Sequence, residues 1–325
     1  MGMKVVPAKD AIGMRLCHDL TRIVPGEGKG PAFRKGHVVR EEDIALLLSM
    51  GKENLYVWEA QPGMVHEEDA AQRLAQSGVI GGIVWGAPSE GKVALKAAGP
   101  GLLRVDVNRL EQINSLGDIT IATRRDRTAV DAGQLLAGCK VTPLMVPEQQ
   151  IEQAEAVGQW IQVKPYRSLK TALIVTGSEV YKGRIPDKFG PVVEAKLAHF
   201  QCPVVYRAYS DDQADMTVAR IREAQAAGAE MILCTGGMSV DPDDATPGAI
   251  RQSGARIVTY GAPVLPGSMF MLGYLEGDIP IMGLPGAVMY ESYTLFDVVL
   301  PIVLAGEVLT KQDFVRMGHG GLVHK

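Results

Sequence analysis

The sequence predicts an α/β protein in which a mostly parallel sheet with helices fills the second half, preceded by smaller β-rich α+β modules. Two patterns carry this. From Thr171 onward short apolar runs alternate regularly with helix-forming segments, the signature of β-α-β units. Before residue 165 the apolar runs are short, broken by Gly and Pro, and mostly strand-like. The size and balance of the chain agree: 325 residues, 46% hydrophobic and 22% charged, suit two or three globular domains and exclude a disordered chain, a collagen-like repeat and a disulfide scaffold.

In the first half, Pro7 to Trp58 reads as mostly β, with Phe33 to Val39 a strand-turn-strand element. Arg40 to Gly51 then places acidic residues at a helix start and a glycine past its end, before a strand over Asn54 to Trp58. A module over residues 1–65 follows. The second module, 66–165, has an amphipathic helix from His66 to Gln76 and strands over Lys92 to Lys96, Leu102 to Val107 and Ile119 to Ala122. It ends in a helical connector, Glu148 to Trp160. Residues 166–325 form the third domain, with strands at Thr171–Thr176, Pro203–Ala208 and Glu230–Cys234 and helices at Gly190–Phe200 and Gln213–Ala227. A hairpin of Met269–Leu275 and Ile279–Met282 and one helix from Ala287 to Leu304 complete it.

The net charge of −4 gives no basic excess for nucleic acid. The apolar runs Ile279–Leu284 and Val298–Leu304 fall short of the roughly 20 residues of a membrane span. Met1 to Asp10 lacks an apolar segment of export-signal length, so a cytoplasmic location is expected. The four cysteines, Cys17, Cys139, Cys202 and Cys234, are far apart and flanked by apolar residues, which fits buried thiols. The six histidines show no metal-binding spacing.

Parallel sheets bind ligands beyond the carboxyl ends of their strands, which directs attention to four loops. The first, Thr176-Gly177-Ser178-Glu179, offers hydroxyls, a flexible glycine and a carboxylate that can order water or a neighbouring loop. In the second, Asp211 either caps the following helix or serves chemistry. The third is richest: a buried strand runs into Thr235-Gly236-Gly237-Met238-Ser239, where missing side chains let backbone N–H groups face an anion and Ser239 adds a hydroxyl. Asp241, Asp243 and Asp244 follow at once, and so many acids beside an anion site call for a cation such as Mg²⁺, which takes carboxylate and phosphate oxygens. The fourth combines Pro266-Gly267-Ser268 with Gly283-Leu284-Pro285-Gly286, ahead of a helix N-terminus able to accept an anion. Neither a GxGxxG nor a P-loop lysine motif is present, which disfavours a dinucleotide enzyme or a Walker-type ATPase.

In combination and order, Thr176 to Glu179, Thr235 to Asp244, Leu265 to Gly267 and Gly283 to Gly286 resemble the molybdopterin-binding domain of molybdenum-cofactor biosynthesis proteins. That family includes molybdopterin molybdenumtransferase (MoeA), molybdopterin adenylyltransferase (MogA) and the related domain of CinA. The resemblance covers Lys170 to about Gly306 and implies a three-layer α/β sandwich that binds a pterin phosphate. Gly236 to Val240 is similar to the MoeA form, while Asp244-Ala245-Thr246-Pro247 is similar to the adenylyltransferase and CinA branches.

By this resemblance Asp244 and Asp211 are the catalytic candidates, and Asp244, Asp241 and Asp243 hold the metal. The resemblance also implies that Thr176 to Glu179, Thr235 to Ser239, Pro266 to Ser268 and Gly283 to Gly286 bind molybdopterin, free or adenylylated. Departures stand beside it: the MoeA pattern Lys-Pro-Gly-Lys-Pro is replaced by Leu265-Pro266-Gly267-Ser268-Met269, which removes both lysines, and Asn-Pro is replaced by Ala287-Val288.

The expected function is molybdenum-cofactor synthesis or delivery as a MoeA-like transferase. The alternatives are a non-catalytic carrier that hands cofactor to a molybdoenzyme or another biosynthesis protein, and a CinA-like Mg²⁺-dependent pyrophosphatase acting on ADP-ribose. Proteins of this fold commonly self-associate, so a homo-oligomer is also implied.

Overall fold

A run of fully buried strands organises the second half of this computed structural model, which describes residues 2–24, 28–59, 62–239 and 244–323. The chain divides into two units, Met1–Lys164 and Pro165–Lys325. In the second, the strands are β1 (Thr171–Thr176), β2 (Val204–Ser210), β3 (Met231–Thr235), β4 (Arg256–Tyr260), β5 (Met271–Leu275) and β6 (Ile279–Leu284). They form one six-stranded sheet in the order β2-β1-β3-β6-β5-β4. β2, β1, β3 and β6 run parallel, and β5 and β4 complete the sheet antiparallel.

Every residue of β1 and β3 is buried, as parallel strands covered on both faces require, whereas the edge strand β2 alternates. The seven helices are α1 (Ser178–Tyr181), α2 (Phe189–His199), α3 (Ala214–Ala226), α4 (Thr246–Gln252), α5 (Ala287–Tyr290), α6 (Leu295–Leu304) and α7 (Lys311–Arg316), counted among the described residues. On one face Ala172, Ile174, Ile232, Cys234 and Ile281 pack with Ile221 and Ala224 of α3 and Ile250 of α4. Their strand neighbours Leu173, Val175, Leu233 and Met282 point the other way and are equally buried, and α2 lies against β1 with Val193 and Leu197 buried. The result is a three-layer sandwich.

The single helix expected over Ala287 to Leu304 is two, α5 and α6. Thr294 takes an extended conformation and its N–H donates to the Asp297 carboxylate at 2.8 Å, which starts a new helix. Lys196 of α2 reaches the same carboxylate at 2.5 Å.

The first unit holds two hydrophobic clusters, one built from Val6, Leu16, Leu47 and Leu55 and the other from Leu74, Leu95, Leu103 and Trp160 among others. Around the second lie two four-stranded sheets. Strand Gly101–Val105 stops two residues before the expected end because Asp106 accepts from Arg109 N–H at 3.1 Å and caps a helix over Val107–Asn114. The connector helix, Glu148–Val157, ends at Gly158 with φ of 85°. All four cysteines are free and buried, and burial pushes the Cys139 and Cys234 thiols up to about 12. No helix among the described residues is long and apolar enough to cross a membrane.

His66, buried, caps the helix Glu67–Gly78. Its Nδ1 lies 3.1 Å from Lys35 Nζ and 3.2 Å from Glu68 N–H, both donors, so Nδ1 accepts. The ring proton therefore sits on Nε2 and is donated to the Cys17 carbonyl at 2.6 Å. Burial, and then the Lys35 charge, hold the His66 pKa below the ordinary histidine value. His18 is lowered too, first by burial and then by Lys52. Glu67, raised by burial and by Glu68, acts in the opposite sense at lower pH.

A histidine neutral in the fold but protonated when unfolded makes the unfolded state bind more protons as pH falls through about 6.5, so its contribution to stability declines there. All three tryptophans lie in this unit, and the burial of Trp160 makes tryptophan fluorescence report its unfolding. The unfolding midpoint should fall from pH about 7.5 to about 5.5, and His66→Gln should flatten that dependence. An identical pH profile in the variant would contradict the assignment.

Candidate functional site

The loops that leave the carboxyl ends of β3 and β6 meet the Gly267–Met269 corner around a cavity of about 520 Å³. Its floor is set by one close approach. Gly236, φ 84°, lies so near the end of β1 that a Cβ there would sit 2.3 Å from the Thr176 carbonyl oxygen. Thr176 Oγ1 donates to the Thr235 carbonyl at 2.8 Å. The Thr246 hydroxyl, 2.9 Å from Thr176 Oγ1, must then donate to it. Beginning of α4, end of β1 and end of β3 are thereby tied together.

Above this floor Gly237, φ 53°, leaves room that a Cβ would close to 3.1 Å from Thr246 Oγ1 and 3.5 Å from Asp244 Oδ1. Asp244 Oδ2 accepts from Ser239 N–H at 2.7 Å, and among the described residues Oδ1 has no hydrogen-bond partner. Tyr260, on β4, shares its hydroxyl between the Met238 and Ser239 carbonyls at 3.1 and 3.2 Å, and Arg251 stacks over its ring at 5.3 Å. The Gly-Gly-Met-Ser segment is thus braced from both ends.

The structure brings Gly236, Gly237, Met238, Ser239 and Asp244 to the cavity wall, with Gly267 and Ser268 from one Pro-Gly corner and Pro285 and Gly286 from the other. Thr176 and Thr235 are buried beneath it. Pro266 accepts from Leu295 N–H at 3.1 Å, which anchors its corner to α6, and Gly283 and Leu284 lie within β6. A Cβ on Gly283 would meet Met238 Cε and Sδ at 2.5 Å, so this glycine makes space for a side chain of the wall.

Gly177, Ser178, Glu179 and Asp211 do not line the cavity. Ser178 N–H donates to Asp212 at 2.8 Å, Gly177 N–H to the Ser210 carbonyl at 3.1 Å, and Lys182 Nζ pairs with Asp211 at 3.4 Å. Glu179 is exposed. Neither aspartate caps α3, whose N-cap is Gln213. Asp241 and Asp243 lie outside the described residues, and among the described residues no group of three His, Cys, Asp or Glu is placed to hold a metal. The helix expected to present its N-terminus after Gly286 is only α5, four residues long.

Residues 172–305 match the family model described as a probable molybdopterin binding domain. This segment belongs to that domain family. Residues 5–59 match a model described only as a domain of unknown function.

A molybdopterin molybdenumtransferase from Haemophilus influenzae is 28% identical over 150 residues, covering 44% of this chain and 36% of the relative. A CinA-like protein from a Mycobacterium species is 30% identical over 79 residues, 24% of this chain and 19% of the relative. The matches thus span about a third or less of the curated relatives' length. Among solved structures, the molybdopterin biosynthesis enzyme MoaB of Thermus thermophilus is 20% identical over 43% of this chain and 98% of its own, TM-score 0.34. The tungsten cofactor synthesizing protein MoaB of Pyrococcus furiosus is 19% identical over 42% of this chain and 91% of its own, TM-score 0.35.

The molybdopterin-binding domain also contributes wall residues that its loop motifs did not reveal: Phe189, Met269, Met289 and Tyr290. They add apolar, polarizable surface to a lining that also holds Ser239 and Asp244. Their signal in the sequence was present but generic, an apolar residue just beyond each turn.

Two glycine substitutions test this geometry. Gly236→Ala combines a positive φ with a clash against fixed backbone and should lower the domain's stability by about 1–3 kcal/mol in denaturant titration. Gly283→Ala meets the flexible ends of Met238 and, at 3.3 Å, Ile250, with no backbone atom among them, so it should cost less stability than Gly236→Ala while displacing the Met238 side chain, which a crystal structure of the variant would display.

Proposed function

We propose that the protein binds molybdopterin, free or adenylylated, in this cavity and serves molybdenum-cofactor biosynthesis as a MoeA-like transferase. The observation that carries the reading is the convergence of Gly237, Ser239 and Asp244 with Ser268, Pro285 and Gly286 on one cavity beyond the parallel strands. Its volume, about 520 Å³, accommodates a pterin with its phosphate.

In this reading the backbone of Gly237 and the hydroxyls of Ser239 and Ser268 receive the phosphate. Among the described residues no lysine or arginine lines the cavity. An anion facing the Asp244 carboxylate is unfavourable unless a cation lies between them, so Asp244 Oδ1 is, among the described residues, the donor for Mg²⁺. When bound, the metal would supply charge neutralisation at the phosphate oxygens. Asp244 Oδ2, held by Ser239 N–H at 2.7 Å, keeps the carboxylate aimed. Asp211, paired with Lys182, supports the neighbouring loop in this arrangement.

The same lining favours a second reading, a carrier that binds the cofactor and passes it on. Ser268 and Met269 stand where the resembling MoeA pattern has lysine and proline, and losing charge-assisted contacts, each worth about 1.5–3 kcal/mol, weakens the case for turnover.

Isothermal titration with molybdopterin and its adenylylated form separates these readings. Micromolar or tighter binding that needs Mg²⁺ and is lost about tenfold or more in Asp244→Asn is the expected outcome, with molybdate-dependent product formation for the transferase and none for the carrier. Binding indifferent to both Mg²⁺ and Asp244 would remove the metal role, and Mg²⁺-dependent hydrolysis of ADP-ribose without pterin binding would replace the proposal.

A further inference from the structure

Tyr290 is the most exposed large apolar side chain among the described residues, 80% accessible, yet it lines the cavity. It ends α5, the four-residue helix that follows Pro285-Gly286, and lines the cavity together with Phe189, Met269 and Met289. A helix this short sums few peptide dipoles, so this wall is poorly suited to an anion. It is well suited to a flat ring. Thioethers and aromatic faces attract π-systems, and an exposed tyrosine gains most contact area per covering group when a flat ring lies over its face. Phosphate at the Asp244 side and a heterocycle at the Tyr290 side would give a bound molecule one orientation.

We propose that Tyr290 is a specificity-determining residue that stacks on the fused bicyclic heterocycle of the ligand. The inference rests on the proposed function, since it needs a phosphorylated ligand in this cavity. Two rings share the required chemistry, the pterin and the adenine of the adenylylated form.

The test measures dissociation constants of the intact protein and its Tyr290→Ala, Tyr290→Phe and Asp244→Asn variants with Mg²⁺ present. The ligands are molybdopterin, AMP and, as a ringless probe, inorganic pyrophosphate. Tyr290→Ala should weaken one of the two ring-bearing ligands about tenfold, and the ligand affected identifies the stacked ring. Tyr290→Phe, which keeps the ring, should stay within about twofold of the wild type, and pyrophosphate should be indifferent to both. Unfolding midpoints should not move, because Tyr290 buries little of its surface in the free protein.

Loss of affinity in Tyr290→Phe equal to that in Tyr290→Ala would overturn stacking in favour of the hydroxyl. Unchanged ring binding in Tyr290→Ala, together with loss in Asp244→Asn, would overturn the inference and leave the proposed function standing. Failure of the wild type to bind either ring would overturn both.

Discussion

The approach of Gly236 to the Thr176 carbonyl is the constraint on which the site depends. Only a residue without Cβ brings β3's exit loop this close to β1, where a Cβ would lie 2.3 Å from a backbone oxygen that cannot yield. Once the backbones touch, the Thr176 and Thr246 hydroxyls each donate within the junction and tie the start of α4 to the strand ends. Asp244, two residues before α4, is then within reach of Ser239 N–H. The carboxylate, the glycines and the two Pro-Gly corners share a cavity because the strand ends beneath them are locked.

Charge around the cavity is sparse for a site proposed to hold a phosphorylated ligand. The cavity wall carries a carboxylate and no lysine or arginine among the described residues. Its polar donors are serines and backbone, and methionine and aromatic side chains complete the lining. Such a wall recognises shape and polarizability more than net charge, and under the proposed function it would leave the neutralising of phosphate to a metal ion.

The sequence made the parallel sheet legible because buried strands and amphipathic helices alternate without ambiguity from Thr171 onward. The glycines of the third loop were legible as a ligand-facing backbone for the same reason: Gly-Gly after a buried strand has few other uses. Tertiary placement was not legible. Asp211 and Asp244 both follow strand ends, but the register of β2 beside β1 carries Asp211 toward Lys182 and the Ser178 loop, and nothing local distinguishes the two acids. The break between α5 and α6 depends on Thr294 and Asp297 forming a cap within an otherwise helix-compatible run. In the first unit, Asp106 turned an expected strand end into a helix start by a single side-chain hydrogen bond. Tyr290 escaped notice because its importance lies in exposure beside a cavity, a property of the fold and not of the pattern.

The most direct test of the central claim is a crystal structure of the intact protein grown with molybdopterin and Mg²⁺. The account predicts phosphate density against Gly237 and Ser239, with Asp244 turned toward a cation. Ligand density elsewhere, for instance in the polar cleft of the first unit formed by Arg104, Asp106 and Arg109, would contradict it.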